Sequence, residues 1–225
     1  MTRNQLKYLA YITMTIDHAG HILFPHLLWM RVIGRLAAPI FFYFAAMSVF
    51  DTRDKKKYVL RLLGFALISE PFFDQMVTGF WFSSLAQNVY FTILLGVLAC
   101  ISIRAMRNWI DGKAAGGGWL AAIAAVPYAA LAYIARTDYR AYGVLLIAAF
   151  FCVREFHLPE QLGNFMSLIC LLVVAMAQHS MWIQAVSVFV GISLPPKPSK
   201  KRMSKLWYFF YPVHIGLLLF VKSFA

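Results

Sequence analysis

The stretch NVYFTILLGVLACISIRA, residues 88–105, decides the fold class of this chain. Arg104 is its one charged residue, and a helix that crosses a bilayer needs about 20 mostly apolar residues. The rest of the 225-residue chain is similar in character, since 61% of all residues are hydrophobic and 13% are charged. Soluble domains average about 45–50% apolar and about 25% charged residues. This composition excludes an ordinary soluble enzyme, a disordered chain and a disulfide scaffold.

Similar apolar runs recur along the chain and predict nine membrane spans. The spans lie near residues 6–25, 32–50, 58–77, 88–105, 119–135, 140–154, 163–179, 181–195 and 206–223. We interpret the first run as a retained helix, because it carries Asp17 and His18 and lacks a small-residue cleavage site. We therefore expect an all-α polytopic membrane protein with about nine transmembrane helices, in which residues 1–225 form a single unit.

The formal net charge of +12 comes from 21 Lys and Arg residues against 9 Asp and Glu residues. The basic residues lie in short connectors between the apolar runs, so they indicate membrane topology rather than nucleic-acid binding. If the amino terminus is cytoplasmic, sixteen basic residues fall on the cytoplasmic side and four fall outside. This asymmetry predicts a cytoplasmic amino terminus and an outer carboxyl terminus.

A few ionisable residues lie inside the apolar runs. Asp17 and His18 lie within span one, Arg35 opens span two, and His214 lies eight residues into span nine. Ionisable groups within a bilayer are costly and usually face a protein interior or a water-filled cavity, where they pair. We therefore predict a polar cavity that opens outward, with an ion pair between Asp17 and Arg35 on adjacent antiparallel helices.

Span nine is interrupted by a proline. Pro212 has no N–H group, so the carbonyl of Tyr208 loses its helical hydrogen-bond partner. Backbone groups freed at membrane depth are tolerated where other groups or a cavity satisfy them. This interruption favours a site near His214. The candidate substrate-binding residues around such a site are Glu70, Asn88, Thr92 and Tyr211.

Several blocks of the sequence resemble the TraX family of membrane proteins. They are, in order, Asp17-His18, RVIGRLAAPIF at 31–41, TRDKKKY at 52–58, RLL at 61–63, NVYFTILLG at 88–96, YGVL at 142–145 and FYPVH at 210–214. The resemblance implies a multi-pass protein of the bacterial cytoplasmic (inner) membrane that transfers an acyl group. It also implies acetyl-CoA as the donor, no metal, and an acceptor at the outer face such as the amino terminus of a pilin or a cell-surface glycan.

Acyl transfer to an amine or hydroxyl needs a base, and neutral imidazole suits that role near pH 7. The candidate catalytic residues are His18, Asp17, His214 and Arg35. We expect His18 to be the base, with His214 as the second candidate, and Arg35 or Asn88 to stabilise the oxyanion. Asp17 would orient an imidazole or hold Arg35. The candidate acetyl-CoA-binding residues, in basic cytoplasmic connectors, are Arg53, Lys57, Arg61, Lys201 and Arg202.

Other functions fit the same residues. An Asp17/Arg35 pair beside a proline-interrupted helix also suits a proton-coupled small-molecule transporter. His18, His21 and His214 could ligate haem or zinc. A structural partner in pilus assembly is a third alternative, although it leaves the buried ionisable residues unexplained.

Overall fold

The computed structural model describes residues 1–112, 118–158, 199 and 203–224. The eight α-helices in this part of the chain are α1 (Arg3–Ile22), α2 (Leu28–Gly34), α3 (Ala37–Asp51), α4 (Lys55–Thr78), α5 (Val89–Asp111), α6 (Val126–Ile134), α7 (Arg140–Glu155) and α8 (Phe210–Lys222). Two 3₁₀ segments, Gly118–Ala125 and Lys205–Phe209, lead into α6 and α8. No strand forms in these described ranges, where a single bridge joins Gln87 to Thr137.

The helices confirm the all-α prediction and follow the predicted spans within the described residues. Two helical ranges are long and apolar enough to cross a membrane by length and composition. One is Leu28–Asp51, which comprises α2 and α3, and the other is Val89–Asp111, which is α5. Spans seven and eight, at 163–179 and 181–195, lie outside the described residues. The nine-span topology and the orientation of the termini stay predictions.

Local sequence signals set several helix ends. At the start of α1, Thr2 and Gln5 form a reciprocal capping box, which satisfies two backbone N–H groups that the helix leaves unpaired. The Asp54 carboxylate accepts a hydrogen bond from the backbone N–H of Lys57 at 2.9 Å where α4 begins. That bond lowers the pKa of Asp54. Helix α4 ends at Gly79, whose φ of 79° is a left-handed conformation that favours glycine.

Five helices close a ring. Helix α1 packs on α3, α3 on α5, α5 on α4, α4 on α8, and α8 on α1. Helices α6 and α7 pack on the other side of α5, and α2 packs on α1. Side chains of α1, α5 and α8 contact one another inside the ring, where His18 of α1 meets His214 of α8 and Tyr90 of α5 meets Tyr211 of α8.

The two ends of the bundle differ in chemistry. At one end, Arg3 pairs with Asp51 at 2.6 Å and Arg104 pairs with Glu155 at 2.6 Å. The connectors 23–27, 79–88 and 135–139 lie at the opposite end. We call these the Arg3 end and the connector end; they correspond to the predicted cytoplasmic and outer sides.

Candidate active site

Two histidines from opposite ends of the sequence share a hydrogen bond inside the ring. Nδ1 of His18 lies 2.7 Å from Nε2 of His214, and both side chains are buried. Nδ1 of His214 lies 2.7 Å from the carbonyl oxygen of Phe210. A carbonyl only accepts hydrogen bonds, so Nδ1 of His214 must carry a proton. With both rings neutral, His18 then donates from Nδ1, and its lone pair is left at Nε2.

The start of α8 positions His214. Because Pro212 has no N–H, the carbonyl of Tyr208 has no helical partner, and the hydroxyl of Tyr90 donates to it at 2.9 Å. The α-helix begins at Phe210, where the 3₁₀ segment ends, so Pro212 lies in the first turn of α8 rather than at a break within it. This bond ties the start of α8 to α5, two residues before Phe210, whose carbonyl contacts the His214 ring. The result is a fixed depth for the His214 ring beside α1.

Asp17 forms its ion pair with a different arginine from the one predicted. Nη1 of Arg31 lies 2.8 Å from Oδ2 of Asp17 and also donates to the Asp17 carbonyl at 3.1 Å. The guanidinium of Arg35 instead donates to the hydroxyl of Tyr139 at 3.4 Å. The predicted Asp17–Arg35 pair is wrong. The transporter alternative was framed on that pair.

The reason is a break in span two and a close approach at Gly34. Helix α2 ends at Gly34, and α3 begins again at Ala37. A Cβ atom at Gly34 would lie 2.1 Å from the Cβ of Asp17, so only glycine fits this contact. Arg31 lies three residues before Gly34 and shares its helix face, so it reaches Asp17. Arg35 is adjacent to Gly34 and therefore points in another direction.

A cavity of about 650 Å³ opens beside His18. Asp17, His18, Arg35 and Tyr211 line it, whereas His214 lies behind His18. The cavity is built by the parts of α1, α4 and α5 near the connector end and by the segment 133–142. The structure thus brings three of the four candidate catalytic residues and one of the four candidate substrate-binding residues to one space.

The connector before α7 closes one side of the cavity in a strained conformation. Arg136, Tyr139 and Arg140 have φ angles of 53°, 63° and 44°. A left-handed conformation in a non-glycine residue costs on the order of 1–3 kcal/mol and often marks a functional segment. Burial raises the pKa of the neighbouring Asp138 to about 6, and Arg35 opposes that shift. This connector carries charge into the cavity.

The other candidate substrate-binding residues have structural contacts. The Asn88 side chain donates to the Ala66 carbonyl at 2.8 Å and to Glu70, and it accepts from the backbone N–H of Tyr90 at 2.9 Å. It therefore caps α5 and has no remaining group for an oxyanion. Thr92 is buried, its hydroxyl donates to the Asp138 carbonyl, and it lies 3.0 Å from the Thr137 hydroxyl. Glu70, Asn88 and Thr92 do not line the cavity beside His18.

The candidate donor-binding residues lie away from that cavity. Arg53 and Lys57 are exposed, and Lys57 pairs with Asp54 at 3.3 Å. Arg61 stacks on the rings of Tyr58 and Tyr208, with its guanidinium carbon 5.5 Å and 5.2 Å from the ring centroids. Lys201 and Arg202 lie outside the described residues.

Sequence reasoning missed five residues of the cavity, namely Arg31, Arg136, Asp138, Tyr139 and Arg140. Arg31, Arg136 and Asp138 were treated as connector charges or left unremarked, because a charge in a connector usually reports topology. The TDYR run at 137–140, which places two charges and an aromatic between two apolar runs, was the available signal. Within the residues that the structure describes, no group of three or more His, Cys, Asp or Glu side chains is arranged to hold a metal ion.

Residues 2–222 match the family model described as TraX protein. The chain belongs to the TraX family. The resemblance carried by the sequence blocks is therefore confirmed over nearly the whole chain.

Two named proteins are similar to this TraX-family chain along most of its length. A protein of Dichelobacter nodosus named "Probable fimbrial assembly protein FimC, serogroup H1" is 29% identical over 98% of this chain and 95% of its own length. The "Protein TraX" of Escherichia coli strain K12 is 24% identical over 96% of this chain and 85% of its own length. No solved structure matches the chain.

Proposed function

We propose that this TraX-family protein is a membrane-embedded acyltransferase, most simply an acetyltransferase. It moves an acyl group from cytosolic acyl-CoA to an amine or hydroxyl acceptor at the outer face of the inner membrane. The observation that carries the proposal is the His18–His214 hydrogen bond at the wall of a polar cavity. The relative named as a fimbrial assembly protein supports a pilin amino terminus as the acceptor, with a cell-surface glycan as the other candidate.

The outer surface of the bundle supports a position within the membrane. Large apolar side chains are exposed along several helices, and soluble monomeric proteins rarely expose so much contiguous apolar surface. They include Leu60, Leu63, Leu67, Ile68, Leu120, Ile123, Val126, Leu217, Phe220 and Val221. The exposed indoles of Trp29, Trp81 and Trp109 lie near helix ends, where tryptophan anchors at the lipid–water interface. A multi-pass arrangement covers these faces with lipid.

His18 acts as the general base in this mechanism. Its Nε2 lone pair takes the proton of an acceptor amine while the amine nitrogen attacks the thioester carbonyl of the donor. A carbon–nitrogen bond forms, the carbon–sulfur bond breaks, and His18 returns the proton to the leaving sulfur to give the free thiol. His214 accepts the hydrogen bond from Nδ1 of His18 and so keeps the lone pair at Nε2. The donor supplies an activated thioester and nothing else.

Arg35 is the candidate oxyanion-stabilising residue. Its guanidinium lines the same cavity as His18 and is held by the hydroxyl of Tyr139 rather than by a carboxylate. A fixed cation in a site with little water stabilises the charge that develops on the thioester oxygen. Asp17 is paired with Arg31, so its role is to fix α2 against α1 and thereby place Arg35.

The basic residues at the Arg3 end are the candidate donor contacts. Arg53 and Lys57 are exposed there, where a nucleotide end with several phosphates could reach them. Arg61 is held between two tyrosine rings and so presents a fixed cation near the start of α8. These assignments follow the predicted sidedness of the chain.

The test is transfer of labelled acetyl groups by the purified full-length protein. We expect the native chain to transfer the label from acetyl-CoA to a pilin-like peptide amine. Loss of a general base lowers a rate by about 10²–10⁴-fold, so His18→Ala is expected to lose at least a hundredfold. His26→Ala is the matched control, because His26 is exposed in the connector after α1.

Size-exclusion chromatography and circular dichroism establish that the native protein and both variants are folded. Equal transfer by native protein, His18→Ala and His26→Ala contradicts the assignment of His18. The absence of transfer by the native protein to both a peptide amine and a glycan hydroxyl contradicts the acyltransferase function.

A further inference from the structure

The cavity beside His18 is rich in arginine. Arg31, Arg35, Arg136 and Arg140 all line it, against the carboxylates of Asp17 and Asp138. Arg31 is neutralised by Asp17. Among the described residues, Arg35, Arg136 and Arg140 make no ion pair within 4.0 Å. These three guanidinium groups share the cavity with one further carboxylate, that of Asp138, so positive charge is in excess there.

The polypeptide holds two of these arginines in place at a conformational cost. Arg136 and Arg140 both have left-handed backbone conformations, at φ 53° and 44°. The connector that carries them is anchored, since Gln87 N–H donates to the Arg136 carbonyl at 3.1 Å and Asp138 N–H donates to the Gln87 carbonyl at 2.7 Å. These bonds fix the backbone of the connector, and the connector places both exposed arginine side chains along the cavity. Arginine is the side chain best suited to carboxylate and phosphate groups, through paired hydrogen bonds.

These arginines lie on the opposite side from the candidate donor contacts. Arg136 and Arg140 belong to the connector end, whereas Arg53 and Lys57 follow α3 at the Arg3 end. The phosphates of the donor are expected at the Arg3 end. The charge at the connector end is therefore available to the other reactant.

We infer that the acceptor carries an anionic group, a carboxylate or a phosphate, which Arg35, Arg136 and Arg140 bind while the acceptor amine or hydroxyl reaches Nε2 of His18. This inference rests on the proposed function and specifies the chemical class of its acceptor. The anion holds one end of the acceptor, and the nucleophilic atom at the other end is thereby oriented towards the thioester. Arg136 and Arg140 are binding residues in this account, and Arg35 contacts both the anion and the oxyanion.

The test compares two amines that differ by one phosphate. Phosphoethanolamine and ethanolamine are titrated calorimetrically into the full-length protein in phosphatidylcholine nanodiscs. We expect phosphoethanolamine to bind at least tenfold more tightly. Arg136→Gln and Arg140→Gln each remove one charge-assisted contact and are expected to weaken its binding by about tenfold, with little effect on ethanolamine.

Lys222→Gln is the matched control. Lys222 is exposed at the end of α8 on the connector side, carries the same charge, and does not line the cavity. It is expected to leave the phosphoethanolamine affinity within twofold of native. Equal affinities for the two amines, or an equal loss in Lys222→Gln and Arg136→Gln, overturns the inference.

Nanodiscs that contain phosphatidylglycerol distinguish a lipid head group from a soluble source of the anion. If phosphoethanolamine binds more weakly in those discs, and this weakening disappears in Arg136→Gln, the site is supported and its occupant is a lipid head group. Unchanged binding supports the site with a non-lipid acceptor.

The inference and the proposed function fail separately. Tight phosphoethanolamine binding without acetyl transfer retains the anion site and contradicts the acyltransferase function. Transfer of labelled acetyl to both amines with equal kcat/KM retains the acyltransferase and contradicts the anion site.

Discussion

At the scale of single residues, the chemistry depends on which nitrogen of His18 carries its proton. The carbonyl of Phe210 fixes the proton on His214, and His214 in turn fixes the proton on Nδ1 of His18. A chain of this kind orients a base without a carboxylate. In the proposed mechanism, His214 is therefore a positioning residue, which acts through His18.

Substitution of His214 separates this positioning role from a structural one. In His214→Gln, a side-chain oxygen can still accept the hydrogen bond from His18, so we expect acetyl transfer within about tenfold of native. In His214→Leu, the buried N–H of His18 has no acceptor, which costs about 1–3 kcal/mol, and we expect transfer to fall by about a hundredfold. Acetyl-transfer kinetics on both folded variants provide the measurement. Equal losses in the two variants contradict the positioning role.

Asp138 gives the protein a stability that depends on pH. Its pKa in the folded protein is about 6, above the ordinary value of 3.8, because burial and the charge of Asp17 outweigh Arg35 and Arg31. The folded state then binds this proton more tightly than the unfolded chain, so stability falls as pH rises from about 4 to 6. Asp138→Asn removes the titration. We expect its Tm to change less than the native Tm between pH 4 and 6, by the equivalent of about 2 kcal/mol. Equal slopes of Tm against pH in the native protein and in Asp138→Asn contradict this prediction.

At the scale of elements, the contact between α1 and α2 positions the cavity wall. Gly34 lies directly against Asp17, and the α2–α3 break that follows turns Arg35 towards Tyr139. The contact is a close helix approach of the kind that small residues permit. It explains why Arg31 is the partner of Asp17.

Gly34→Ala is expected to displace α2 and break the Asp17–Arg31 pair. Overpacking costs about 1–3 kcal/mol, so the Tm should fall together with acetyl transfer. Gly64→Ala is the control, because a Cβ at Gly64 meets no atom within 4 Å. Alanine there favours the helix by up to about 1 kcal/mol. A Gly34→Ala protein as stable and active as Gly64→Ala contradicts the account.

The sequence predicts elements better than it predicts partners. Long apolar runs place both ends of α4 and α7 within three residues, because composition and caps act locally. They place the start of α5 within one residue, but α5 continues six residues beyond its predicted span. The prediction that Arg35 pairs with Asp17 requires a continuous helix in span two, and the break after Gly34 removes that condition. Asn88 and Thr92 looked available for substrate, but their polar groups are used by the Ala66 and Thr137 contacts. Such contacts depend on the fold as a whole.

At the scale of the whole molecule, the bundle separates two basic surfaces. One lies at the Arg3 end, with Arg53 and Lys57, and the other surrounds the cavity at the connector end, with Arg136 and Arg140. The His18–His214 pair lies within the ring between them. This arrangement fits a donor and an acceptor that approach from opposite sides of a membrane.

Acetyl transfer across sealed proteoliposomes tests this central claim most directly. Labelled acetyl-CoA is supplied outside, and a membrane-impermeant amine peptide is enclosed inside. The account predicts that label accumulates on the enclosed peptide with the native protein and is reduced at least a hundredfold with His18→Ala. Label that appears solely on peptide sharing the compartment of acetyl-CoA, or at equal rates with native protein and His18→Ala, would contradict it.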